Sequence, residues 1–181
     1  MIINGSQLLA LEPIKNMEEC KRVAHGTSYG LTEAGYDIRL KQDIRFRFVE
    51  YDRGYPPTPY LVVDSERIYG RFCLASAIEE FQMPENLVGI VHDKSTLARK
   101  GLSVFNTVIE PGFCGGLTLE LVFHGSEDLH LPADIGIAQV LFHEICSPVR
   151  YNGKYQGQST DPVAAIFSEN LQQVPSGIST H

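Results

Sequence analysis

From Gly35 to Tyr51 the chain reads GYDIRLKQDIRFRFVEY, and Ile38, Leu40, Ile44, Phe46 and Phe48 all share one parity. Charged residues fill most of the positions between them. A period of two places one face of a strand on a core and the other in water, so this stretch predicts β structure. Similar short runs follow: YLVVD, RIYGRFCLASAIEEF, LVGIVHD, LSVFNTVIE, GLTLELVF, LHLP and IAQVLFHEI, separated by turn residues. YDRGYPPTPY is a loop dense in Pro and Gly. Only LLALEP, stopped by Pro13, MEECKRVA and KSTLARKG have helical character, and all three are short. Many short strands with few helices predict a mainly β chain, a sandwich or a barrel.

The 181 residues fit one domain with a sizeable core, and 43% hydrophobic content excludes a disordered chain. A net charge of −7 argues against non-specific binding to nucleic acid or to an anionic membrane. It leaves room for a small anionic substrate held by a local basic pocket. Cys20, Cys73, Cys114 and Cys146 are scattered and form no C-x-x-C pair, which predicts reduced, mostly buried thiols in a cytoplasmic protein. No basic, apolar leader opens the sequence and no apolar run approaches the ~20 residues that span a bilayer, so a soluble chain is expected.

Three features carry possible chemistry. In GLTLELVF, Leu117, Leu119 and Leu121 face one side, and Glu120 shares the other with Thr118 and Val122. Glu120 is either a solvated strand carboxylate or a general acid/base in a half-buried cleft, where desolvation raises its pKa. Ser95, Thr96 and Arg99 open and follow a short helix at a spacing that shares one face, with Lys94 beside them. Such a group is either an ordinary N-cap with solvated basic residues or a phosphate cradle. From Asn152 the chain turns polar and Gly-rich, which fits either a frayed terminus or a lid over a ligand. The six histidines show no H-x-x-x-H spacing, and the H-x-E and P-C-x-x-C elements of zinc nucleobase deaminases are not in this sequence. Neither a G-x-S-x-G elbow nor a Walker phosphate loop occurs.

The segment FCLASAIEEFQMPENLVGIVHDKSTLARKGLSVFNTVIEPGFCGGLTLEL resembles the dCTP deaminases, which share a fold with trimeric dUTPases. GYDIRL, GIAQVLF and YNGKYQGQ extend the resemblance over most of Tyr36 to Gln158. The combination of K-S-T-x-x-R, P-G-F-x-G-x-L-T-L-E and K-Y-Q-G-Q, in that order, carries it. The resemblance implies a distorted β-barrel of the dUTPase-like, β-clip type over residues 1–151, followed by a flexible lid over 152–181. It implies a homotrimer with active sites between subunits and a pyrimidine deoxynucleoside triphosphate, dCTP or dUTP, as substrate. Magnesium would ride on the phosphates, zinc would not be needed, and dTTP is a possible feedback inhibitor.

Carried over residue by residue, the resemblance makes Glu120 the catalytic carboxylate, supported by Arg99 and Ser95. Lys94 and Thr96 flank the phosphate side, and Thr107 and Gln139 join the substrate-binding set. Glu110 stands where the family usually has an aspartate that meets the deoxyribose hydroxyl, and Phe113 matches an aromatic position on the sugar. Tyr151, Lys154, Tyr155 and Gln158 match tail residues that fold over the triphosphate. The implied reaction is hydrolytic deamination of dCTP to dUTP and ammonia, at a cyclic amidine C–N bond. Two departures keep alternatives open: FNTVIE is shorter than its counterpart, and Glu110 is one methylene longer than aspartate. They point to a dUTPase, or to a bifunctional enzyme releasing dUMP and pyrophosphate. A third alternative is a non-catalytic, trimeric nucleotide-binding protein.

Overall fold

The structure, a computed structural model, describes residues 1–48 and 59–167. The chain opens with β1 (Ile2–Ile3), α1 (Gly5–Leu11), β2 (Lys21–Ala24), β3 (Thr27–Leu31), β4 (Tyr36–Arg39) and β5 (Ile44–Phe48). It continues through β6 (Pro59–Val63), β7 (Glu66–Tyr69), β8 (Phe72–Gln82) and β9 (Leu87–Asp93) to α2 (Ser95–Ala98). The last strands are β10 (Leu102–Val104), β11 (Val108–Ile109), β12 (Cys114–Phe123), β13 (Leu129–Leu131) and β14 (Gly136–Glu144). Most of the predicted loop at 51–60 lies outside the described residues; Pro59 and Tyr60 begin β6.

The strands form three antiparallel sheets. The largest runs β11-β9-β14-β4-β3-β2, with β1 also beside β14. The second is β10-β12-β8 and the third β13-β5-β6-β7. Single bridges tie Ile14 and Leu40, outside the strands, to Phe81 and Ala77 of β8. The mainly β expectation holds. Each ladder ends in free edges, however, and no closed barrel forms among the described residues.

The period-2 pattern explains the core. Ile38, Leu40, Ile44 and Phe46 are buried, yet the alternating stretch breaks between β4 and β5, which belong to different sheets. RIYGRFCLASAIEEF likewise divides, at Gly70, whose φ of 114° suits only glycine. LSVFNTVIE becomes β10 and β11 with a three-residue link, 105–107. Helix α1 ends as expected before Pro13: Glu12 takes a left-handed conformation and its N–H returns to Leu8 O. MEECKRVA is not a helix. Its second half is β2, folded back on β3 through His25 and Gly26, both with positive φ as a two-residue hairpin requires. Pairing across that turn overrides the weak local propensity. The cysteine expectation also needs correction, since only Cys73 is buried while Cys20, Cys114 and Cys146 are exposed free thiols. Among the described residues no helix is long and apolar enough to cross a membrane.

Candidate active site

Strand β12 is the floor of the site. Leu119 and Leu121 are fully buried in the core, which forces Thr118, Glu120 and Val122 onto the opposite face. That face is covered by the β11 segment and by the tail, leaving a cleft of about 380 Å³ beside Glu120. The wall is mainly apolar, from Leu74, Val108, Ile109 and Leu117 among others. Burial pushes the Glu120 carboxyl above its ordinary value, while a backbone hydrogen bond pulls weakly the other way. No salt bridge to Glu120 exists among the described residues, so no cation offsets that desolvation.

Thr107, Glu110, Phe113, Tyr151, Tyr155 and Gln158 line the same cleft. Phe113 is buried and meets the Tyr151 ring edge-on, with centroids 6.1 Å apart. The tail reaches the cleft by pairing with the start of β12. Gly157 N–H donates to Cys114 O at 2.8 Å, and Gly116 N–H donates to Gln158 O at 3.0 Å. The Gln158 amide donates to Gly116 O at 2.7 Å. A Cβ on Gly116 would lie 2.4 Å from Ser159 O, so this approach requires glycine. Gln156, which the sequence reading did not single out, bridges the same junction. It accepts from Cys114 N–H at 3.0 Å and donates to Gly112 O at 2.9 Å. Its signal lay in the K-Y-Q-G-Q run itself. Lys154 points elsewhere: its ammonium bonds Ile166 O and sits 5.1 Å from the Tyr155 ring centroid.

Lys94, Ser95, Thr96 and Gln139 line a second, more polar cleft, which shares no residue with the first. Ser95 is not the N-cap of α2; Lys94 holds that position and makes no side-chain cap bond. The Lys94 ammonium is largely buried against Asp37 Oδ2 and Ser28 Oγ. Ser28 also donates to Asp37 Oδ2 at 2.6 Å. Asp37 Oδ1 is buried without a partner among the described residues. Asp37 and Ser28 were missed at the sequence level; Asp37 lay inside the quoted GYDIRL, and nothing local marks it as the partner of Lys94. Gln139 donates to Thr32 Oγ1 at 3.1 Å. Arg99 caps the C-terminal end of α2, exposed, and lines neither cleft. Within one chain, Ser95 and Arg99 therefore do not meet Glu120 in a common cleft.

Residues 12–145 match the family model described as dCTP deaminase-like. A protein of Roseiflexus castenholzii named dCTP deaminase is 36% identical over 149 residues, covering 73% of this chain and 79% of that one. One of Campylobacter concisus with the same name is 41% identical over 150 residues, 72% of this chain and 77% of the other. A crystal structure of 2′-deoxycytidine 5′-triphosphate deaminase from Agrobacterium tumefaciens aligns with a TM-score of 0.54 at 16% identity. That alignment covers 79% of this chain and 48% of the longer one, and at such identity it speaks to the fold alone.

Proposed function

The chain belongs to the dCTP deaminase-like family, and from that premise we propose that it deaminates dCTP to dUTP and ammonia, with Glu120 as the proton-transfer group. The observation that carries this reading is a desolvated carboxylate, unpaired among the described residues, in the wall of a cleft roofed by the tail. Burial brings such a group closer to the working pH, where a base is both ionised and strong enough to act. In the proposed reaction Glu120 takes a proton from water as the water oxygen bonds to C4 of the base. That proton passes to ring N3. Glu120 then carries the second water proton to the exocyclic amine, the C4–N bond breaks, and ammonia leaves. No zinc step is invoked.

Glu110 and Phe113 are assigned to the sugar, and Tyr151, Lys154, Tyr155 and Gln158 to the triphosphate side. Lys94, Ser95, Thr96, Arg99 and Gln139 are assigned to the same nucleotide from a neighbouring copy in a homotrimer of dUTPase-like subunits. The separation of the two clefts on one chain supports this division. The substrate is written as the magnesium complex of the triphosphate. The Ser95 and Thr96 hydroxyls of the second cleft fit phosphate oxygens, and among the described residues no cluster of three metal-ligating side chains competes for the ion.

A second reading, deamination followed by hydrolysis of dUTP, is favoured by the short link 105–107 between β10 and β11. Ion-exchange analysis of products from dCTP and from dUTP, each with magnesium, separates the readings. Deamination predicts dUTP and ammonia from dCTP, with added dUTP left intact. Formation of dUMP and pyrophosphate from both supports the bifunctional reading. Turnover of dUTP alone overturns deamination.

A further inference from the structure

We propose that Lys41 is a positioning residue that clasps the tail and so holds the roof of the Glu120 cleft in place. Lys41 lies between β4 and β5, and its backbone N–H donates to Ser76 O at 2.9 Å. Ser76 pairs with Thr118 of β12, so the Lys41 backbone is fixed beside the strands that carry the site. Its ammonium donates to Thr160 O at 3.1 Å, to Thr160 Oγ1 at 3.0 Å and to Asp161 Oδ1 at 2.8 Å. An ammonium has three donors, and all three are spent on two consecutive tail residues.

The clasp falls at a change of direction in the tail. Before it, Gly157 and Gln158 pair with β12. After it, Val163 N–H donates to Thr118 Oγ1 at 3.0 Å, and Val163 and Ala165 line the cleft. The seat beneath the clasp is cut for backbone: a Cβ on Gly116 would stand 2.7 Å from Thr160 Cα. An exposed Lys–Asp pair alone would contribute little, and Asp161 is 77% exposed. The bonds to Thr160 add direction, because they fix a main-chain carbonyl as well as a side chain. Lys41 thus holds the roof between Gln158 and Val163 without touching the reacting atoms.

The nucleotide arm of the test rests on the deaminase reading; the other arm does not. Hydrogen exchange of the nucleotide-free protein is followed over residues 156–167, with β9 and β12 amides as folding controls. In Lys41→Met the tail amides are expected to exchange roughly tenfold faster while the controls hold, and Lys41→Arg restores protection. The KM for dCTP is expected to rise roughly tenfold with kcat within about twofold, the pattern of lost binding rather than lost chemistry. Should Lys41→Met fold poorly, the double variant Thr160→Val, Asp161→Ala removes two acceptors from the tail side and moves both readouts in the same direction. Unchanged exchange in these variants overturns the clasp. Faster exchange with an unchanged KM overturns its positioning role. A parent that turns over no dCTP overturns the deaminase reading instead, and the exchange difference still decides the clasp.

Discussion

Two carboxylates on neighbouring strands show how burial is resolved differently at a structural and at a candidate catalytic position. Glu79 is almost fully buried; burial pushes its carboxyl up, and hydrogen bonds from Arg39 Nε at 2.9 Å and Arg39 N–H at 2.8 Å pull against that. Replacing Arg39 by Met leaves Glu79 only the backbone N–H of residue 39, and denaturant unfolding is expected to show a loss approaching the roughly 3–5 kcal/mol of a broken buried pair. Glu120 has no such partner among the described residues. Glu120→Gln is expected to lower dCTP turnover about 10²–10⁴-fold while dCTP binding by calorimetry persists. In the parent, turnover should fall with acid through a pKa above the ordinary glutamate value, because the base must be ionised. The stability sign is opposite. A folded pKa raised by desolvation means that the parent loses stability, relative to Glu120→Gln, as pH rises through it. Thermal midpoints of the two proteins should diverge at high pH and converge below the unfolded pKa.

At the scale of elements, β12 and the tail act as one unit. The Gly115–Gly116 pair lets the tail backbone lie directly on the strand, and Gly115 has a φ of 139°. Gly116→Ala places a methyl group against Ser159 O and Thr160 Cα, and one of the two backbones must move. A rise of roughly tenfold in KM for dCTP, with faster exchange over 156–167 and intact core protection, is the expected outcome. Gly157, Gln158 and Val163 hydrogen-bond to the strand, and Thr160 and Asp161 to Lys41. The remainder of the expected lid, 168–181, lies outside the described residues.

At the scale of the molecule, the separated clefts make the proposed assembly testable by mixing. Glu120→Gln leaves the Ser95–Arg99 side intact, and Arg99→Ala leaves Glu120 intact. Each variant alone is expected to be inactive. Co-refolded, they should regain turnover, because some shared sites then pair two intact halves. Light scattering should report about 60 kDa, three chains of 20.1 kDa. An active particle at the mass of one chain would exclude shared sites.

The period-2 runs determined by themselves that the chain is mainly β and that Glu120 leaves the core face, and Pro13 that the first helix ends there. The first two properties follow from side-chain direction within one segment, which a local pattern records. The family resemblance assigned Phe113, Tyr151, Tyr155 and Gln158 to one nucleotide, and in the structure they line one cleft. Only the tertiary structure decided that Lys21–Ala24 is a strand, that three cysteines face water, and that Lys94 is engaged by Asp37. It alone brought Lys41 to Thr160, 119 residues away. Such contacts depend on which strands become neighbours, and no local period records a partner that the chain meets only after it has folded.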